Sequence, residues 1–259
     1  MTIQKLNWAG IKLECGDKIV LIDAVQNFKP YYPVLGNPLT PVVNFRDEVK
    51  ADYVLFTHLH LDHFDTSVIE RCLKEDGKII AYKKHEKEIA KLNRNYILLE
   101  NDEVFQENGI IFKSVYSLDG IGEEQCAWIV EFNKTKIFHG GDTIWHNQFW
   151  KLGKENPNIR YAFMPINGAI VNFQIVGLQY STVPASMTPE QAFNAAKLLQ
   201  AESLIPIHYG KFETEFYRPT DTSFAVLDNL SLQIIQPFQI LADGEYLATK
   251  TSHHAVLPQ

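Results

Sequence analysis

Apolar and polar residues alternate over residues 3–8, 11–13 and 18–23, with Gly10 and the pair Gly16-Asp17 between the runs. A period of two sends successive side chains to opposite faces, so these segments predict three strands joined as an antiparallel meander. From Val25 to Lys50 the pattern vanishes, and Pro30, Pro33, Pro38 and Pro41 interrupt an aromatic-rich stretch that has neither period. Loops of that length inside a compact domain tend to be functional, and this one leads into the densest chemistry of the chain, so it is expected to cover a site.

Residues 53–57 predict a short apolar strand that runs into His58, and residues 66–75 have the spacing of an amphipathic helix. Further strands are predicted over 78–82, 96–99, 110–116, 127–132 and 135–139, with a helix over 85–92 and a hairpin turn at Phe132-Asn133-Lys134-Thr135. A helix near Phe149, a strand over 162–166, a helix over 189–200 and a strand over 203–207 follow, the last delivering His208. Thr188 before Pro189 and Glu190 is an N-cap residue ahead of a first-turn proline and an acidic side chain, which fixes that helix start. The tail 252–259, with His253 and His254, is expected to fray.

Composition narrows the picture without changing it. With 46% hydrophobic and 21% charged residues among 259, the chain can build one sizeable core, and a single domain over 1–259 is expected. A net charge of -7 argues against a nucleic-acid interface and favours a small-molecule substrate. No apolar run approaches the roughly 18 residues of a membrane span, and the start MTIQKLNWAG lacks the charge and apolar stretch of a signal peptide, so no membrane association and a cytoplasmic location are expected. Cys15, Cys72 and Cys126 are few and far apart, which predicts reduced, buried thiols. Aromatic-rich loops could supply an interface for a homo-oligomer.

Thr57-His58-Leu59-His60-Leu61-Asp62-His63-Phe64-Asp65 places three imidazoles and a carboxylate within six positions at a strand end. Scattered histidines are ordinary; this ordered set is not. His58 and His60 can approach one ion from adjacent sides while Asp62 and His63 turn toward a second. Gly140-Gly141-Asp142-Thr143 follows another apolar strand, where the glycines permit a tight turn that projects Asp142 as a ligand bridging two ions. His208 ends the strand Ile205-Pro206-Ile207.

His58-x-His60-x-Asp62-His63, then Gly141-Asp142, then His208-Tyr209-Gly210 resembles the metallo-β-lactamase superfamily in order and spacing. Lys18 to Asp23, Pro165 with Asn167-Gly168, and Pro206-x-His208-Tyr209-Gly210 are similar to the branch containing L-ascorbate-6-phosphate lactonase, over residues 3 to about 215. The resemblance implies an α+β fold, a four-layer αβ/βα sandwich with metals held by loops at one edge of two facing sheets. The family's further histidine before Gly-Asp is missing, and Val115-Tyr116-Ser117-Leu118-Asp119-Gly120 offers Asp119 in its place, either as ligand or as an ordinary turn aspartate. Glu123, Glu124 and His139 could also reach that ion.

The expectation is therefore a hydrolase with two divalent metal ions (zinc, manganese or iron): His58, His60 and Asp119 on one, Asp62, His63 and His208 on the other, and Asp142 between them. A hydroxide shared by the ions would attack a small, possibly phosphorylated lactone, ester or phosphodiester, with Asp62 orienting it, so Asp62 and Asp142 are the catalytic candidates. His146, Lys211 and Arg218, with Arg46 in the long loop, are candidates for holding substrate. An iron-dependent oxidoreductase of the same fold and a non-catalytic metal-binding module are the alternatives.

Overall fold

The computed structural model describes residues 1–248 and contains two six-stranded sheets packed face to face. The first takes β1 (Thr2–Lys5), β2 (Ile11–Cys15), β3 (Lys18–Ile22), β4 (Ala51–Phe56), β5 (Leu73–Tyr82) and β6 (Asn95–Leu99) in chain order. The second is built from β7 (Val104–Glu107), β8 (Ile110–Tyr116), β9 (Cys126–Phe132), β10 (Thr135–His139), β11 (Ile159–Pro165) and β13 (Ser203–Ile207), with β12 (Ile170–Val171) set apart in a ribbon with β14 (Tyr217–Arg218). The helices are α1 (Tyr32–Leu35), α2 (Thr66–Cys72), α3 (Glu86–Ile89), α4 (Phe149–Glu155), α5 (Pro189–Leu198) and α6 (Phe224–Ile234).

β1, β2 and β3 are the antiparallel meander that the alternation predicts, and β3 to β6 then run parallel. In the second sheet β7 to β10 are antiparallel, while β10, β11 and β13 are parallel. Asn133 and Lys134, both at positive φ, close the β9–β10 hairpin at the expected place.

The two-residue period sorts side chains into layers. Tyr53 and Leu55 of β4 join Trp128 and Val130 of β9 and Ile205 and Ile207 of β13 in the core between the sheets. Their neighbours point outward: Val54 and Phe56 pack with Val68, Ile69 and Cys72 of α2, whereas Ala127, Ile129 and Leu204 pack with Phe149, Ala192 and Phe193 of the helices on the other side. Helix, sheet, sheet and helix make the α+β four-layer sandwich. Parallel strands covered on both faces need apolar side chains throughout, which is why β13 is buried at every position.

Several expected boundaries move. The helix over 66–75 stops at Cys72 because Leu73 pairs with Ala51 and opens β5. The helix over 85–92 is one α-turn flanked by 3-10 turns at Lys83–His85 and Ala90–Leu92, ended by Asn93 in the left-handed region. The helix over 189–200 is confirmed as α5, its Thr188 hydroxyl accepting from the Gln191 N–H in a capping box. Among the described residues no helix is long and apolar enough to cross a membrane. The tail with His253 and His254 lies outside the described residues.

Candidate metal centre

Chain crossings bring the C-terminal ends of β3, β4, β8, β10 and β13 to one edge of the sandwich, and each is followed by a polar residue of the site: Asp23, His58, Asp119, Asp142 and His208. Trp8, Asp23 and His208 hold positive φ (59, 45 and 58°) although none is glycine. Left-handed backbone in such residues persists only where the surroundings enforce it, and it clusters at functional sites.

Two donor groups result. His58, His60, Asp119 and Asp142 offer one set of ligand atoms within 4.8 Å of one another, and Asp62, His63 and His208 offer a second. His208 Nε2 lies 3.3 Å from Asp62 Oδ2 and 3.5 Å from Asp142 Oδ1, so Asp142 spans the two groups. His58 Nε2 and His60 Nδ1 face each other at 3.0 Å, with Asp119 Oδ1 3.9 Å beyond. All seven residues expected as ligands are thus brought together at one place.

Beneath them lies Asp23, which is fully buried and which pattern reading leaves as a strand terminus. Its carboxylate accepts from the Thr57 N–H at 2.8 Å, the Thr57 hydroxyl at 2.7 Å and His63 Nδ1 at 2.9 Å. Because the Thr57 hydrogen goes to Asp23, His58 Nδ1 donates to Thr57 Oγ1 at 3.0 Å, and both His58 and His63 present Nε2 to the cluster. This is the carboxylate support that orients imidazole ligands. Trp8 supports the other side, donating its indole N–H to Asp62 Oδ2 at 3.0 Å with its ring 4.1 Å from His208.

Gly141 has φ +63°, and a Cβ there would stand 2.5 Å from Thr57 Oγ1, so only glycine lets the Asp142 turn close against the His58 strand end. Gln125 accepts the Asp142 N–H at 3.2 Å. Asp119 Oδ2 accepts from the Ile121 N–H at 2.8 Å, as a turn aspartate does, while Oδ1 faces His60 Nδ1 at 3.9 Å.

Electrostatics bear on whether cations fit. Burial, then the neighbouring imidazoles, hold His58 well below its ordinary value, leaving it neutral. Burial opposes a charge on His63, but the Asp62 and Asp23 carboxylates outweigh it and raise the ring to about 9. Burial would likewise raise Asp62, yet His63 and His208 hold it below the usual carboxylate range. Asp119 is raised by burial and by the charge of Asp142. Asp62 Oδ1, His63 Nε2 and Asp142 Oδ1 are buried without a hydrogen-bond partner among the described residues. Orphaned carboxylate oxygens beside crowded imidazoles attract positive charge, so the donor set fits divalent cations, and a cation held by His63 Nε2 would take the place of its proton.

The groups open into a narrow cleft that is lined by His60, Asp62, Asp119, Asp142 and His208 at its polar end. Its walls are apolar or phenolic, including Val34, Val171, Phe173 and Tyr217. Tyr31, Val34 and Leu35 of the long loop belong to this lining, so the loop covers the site as expected. Asp65 anchors it, its Oδ2 accepting from the Gln26 and Asn27 N–H groups at 3.0 and 2.9 Å while Oδ1 caps α2.

The expected substrate holders are placed elsewhere. Lys211 is 1% exposed, and its ammonium lies 2.8 Å from Asp243 and donates to Thr40 and Pro41, so it braces the long loop. Arg218 is exposed and donates to the Tyr180 hydroxyl, since β14 alternation turns Tyr217 to the cleft and Arg218 away. His146 stacks on Phe149 at 3.9 Å and burial lowers it to about 4. Arg46 donates to Ser67, and Glu124 pairs with Lys84. His139 sits in the core, its Nε2 bonded to the Ala9 carbonyl and its Nδ1 accepting from the Gly141 N–H, which supports the turn rather than an ion. Of the carboxylates named beside Asp119, Glu123 does reach the group, 3.0 Å from His60 Nε2.

A fold of two facing sheets with His, Asp and His donors at one edge defines a class, and residues 18–209 match the profile of a beta-lactamase superfamily domain. The chain belongs to that superfamily. A UPF0173 metal-dependent hydrolase of Thermococcus onnurineus is 28% identical over 236 residues, 87% of this chain and 92% of its own length. Among solved structures, an isothiocyanate hydrolase from Delia radicum gut bacteria superposes with a TM-score of 0.75 at 20% identity, covering 96% of this chain and 99% of that one. A metallo hydrolase of Ignicoccus hospitalis does so at 0.69 and 19% identity, covering 95% and 97%. At such identities the structural likeness carries the fold.

Proposed function

We propose that this chain is a metal-dependent hydrolase that cleaves a small lactone, ester or phosphodiester at the edge of its sandwich. The observation that carries the reading is the pair of donor groups joined through Asp142 at the polar end of one cleft. His58, His60 and Asp119 would hold one cation, Asp62, His63 and His208 the other, with Asp142 shared. Two divalent cations bound there would acidify a shared water, whose pKa can fall from 15.7 to about 7, and polarise the attacked oxygen.

The chain's own residues do the rest. Asp62 Oδ2, held by the Trp8 indole, leaves Oδ1 unpartnered, and that oxygen orients the attacking water and takes its proton. Tyr31, Val34 and Phe173 exclude bulk water and receive the substrate's non-reacting part. No lysine or arginine lines the cleft among the described residues, which favours an apolar substituent over a phosphorylated one. The test is hydrolysis of a lactone, aryl-ester and phosphodiester panel by chelator-stripped protein reloaded with zinc, manganese or iron. Turnover that returns with metal and is lost in Asp142→Ala supports the reading; no turnover with any metal rejects it.

The carboxylate of Asp119 in the first donor group carries a second reading, since mixed oxygen and nitrogen ligands also suit iron in an oxidoreductase. Dioxygen uptake by the iron-loaded protein, without hydrolysis of the panel, would favour it.

A further inference from the structure

Asn167, Ser186 and Tyr217 form a polar chain beside the donor groups, at 0%, 3% and 5% exposure. The Ser186 hydroxyl donates to Asn167 Oδ1, and the Asn167 amide in turn donates to the Tyr217 hydroxyl oxygen. The backbone pins the arrangement: the Thr220 N–H donates to the Asn167 carbonyl at 2.8 Å, and Tyr217 pairs with Val171 in the β12–β14 ribbon. Since the phenol oxygen accepts from Asn167, its hydrogen must find a different acceptor, and the described residues provide none. Tyr217 lines the cleft together with Asp62, Asp142 and His208.

A buried donor without an acceptor is costly, and natural sites keep one where a ligand completes it. The Asn167 bond also polarises the phenol, which strengthens the next bond in the series. We propose that Tyr217 is a catalytic hydrogen-bond donor to the substrate oxygen that gains negative charge during attack, with Asn167 and Ser186 as positioning residues. This rests on the hydrolase reading. For an ester or lactone, the water oxygen bonds to the carbonyl carbon and the carbon–oxygen bond to the leaving group breaks. The water's proton ends on the leaving oxygen. Tyr217 keeps its proton throughout, and its bond shortens as the carbonyl oxygen becomes an oxyanion, so it favours the transition state over the bound substrate.

The test compares wild type, Tyr217→Phe and Asn167→Asp as full-length, metal-reloaded proteins. Asn167→Asp is isosteric, and its carboxylate would accept the phenol hydrogen and turn it from the cleft. Each is assayed for metal content, for kcat and KM on the ester and lactone panel, and for calorimetric binding of phenylboronic acid, whose tetrahedral boronate resembles the charged intermediate. In Tyr217→Phe we expect unchanged metal content, kcat lower by about 10²–10³-fold with KM within about 3-fold, and boronate binding weaker by about 10–100-fold. Asn167→Asp should show the same direction in both readouts, and decides the matter if Tyr217→Phe does not fold. Wild-type kcat and boronate affinity in either folded variant overturn the proposal. If the wild type hydrolyses nothing on the panel, the hydrolase reading fails on its own. The boronate comparison still decides about Tyr217: weaker binding by the variants upholds the donor, and equal or absent binding throughout overturns it.

Discussion

Asp23 touches no substrate and faces no cleft, yet the account makes it the residue on which two imidazoles depend. Asp23→Asn keeps the volume and removes one accepting oxygen. Asp23 Oδ1 accepts from the Thr57 N–H at 2.8 Å, and Oδ2 accepts from the Thr57 hydroxyl at 2.7 Å and from His63 Nδ1 at 2.9 Å. An asparagine that keeps its oxygen toward the Thr57 N–H turns an NH₂ group toward the other two, and both are donors. One charge-assisted bond in a dry site is worth about 1.5–3 kcal/mol, and a buried donor left without an acceptor adds about 1–3 kcal/mol. A net loss of about 2.5–6 kcal/mol follows, which for a chain of this size lowers Tm by roughly 5–24 °C. Freed of Asp23, His63 and His58 lose the bonds that fix Nε2 toward the cluster, so metal affinity should fall about 10–100-fold. Chelator-competition titration of the folded variant measures this. An unchanged Kd for both ions, in a variant shown to be folded, would refute the assignment of Asp23 as support for the ligands.

Further outcomes follow from three separate observations. Gly141→Ala should destabilise the protein by about 1–3 kcal/mol and weaken metal binding, because its φ is +63° and the new Cβ meets Thr57 at 2.5 Å; melting curves and metal titration check both, and wild-type values would contradict it. Burial raises the thiols of Cys72 to about 11, Cys15 to about 12 and Cys126 further, so a thiol reagent at pH 8 should label none of them before unfolding. The same shifts set a pH trend: folded values above the ordinary thiol value of 9.0 mean this contribution is fully present below pH 9 and is lost as pH rises through 11 and 12. A denaturant midpoint that rose over that window would contradict it. Lys211→Met should lower stability by about 1–3 kcal/mol, since it leaves Asp243 with Lys5 alone, while KM stays within about twofold; a tenfold rise in KM would restore Lys211 as a substrate contact.

The first donor segment is legible from the amino acids alone because its chemistry is local: His58, His60, Asp62 and His63 fall within one strand end and the turn behind it. Asp142 and His208 are legible for a related reason, each being a polar residue that terminates an apolar strand. Asp23 has the same signature, terminating the Lys18–Ile22 strand, and goes unread only because no second donor stands near it in sequence. Trp8, Gln125 and Tyr217 are invisible to pattern, since their roles come from contacts across 54, 17 and 50 positions with Asp62, Asp142 and Asn167. Lys211 and Arg218 mislead because nearness to His208 in sequence says nothing of direction: burial in an ion pair claims one side chain and strand alternation turns the other outward. In the fold, α6 escapes notice because the exposed apolar residues Phe224 and Leu232 lie outside the Leu227, Leu230 and Ile234 stripe that packs on the core, which blurs its period. The two short strands β12 and β14 carry too few residues for any period.

The central claim is that one edge of the sandwich traps two cations. Crystals of the protein purified without chelator and supplied with manganese or zinc would be measured on both sides of the metal absorption edge. The account predicts two anomalous peaks, one among His58, His60, Asp119 and Asp142 and the other among Asp62, His63 and His208, with Asp142 within ligand distance of both. No peak within reach of these residues, or peaks only elsewhere on the surface, would contradict it.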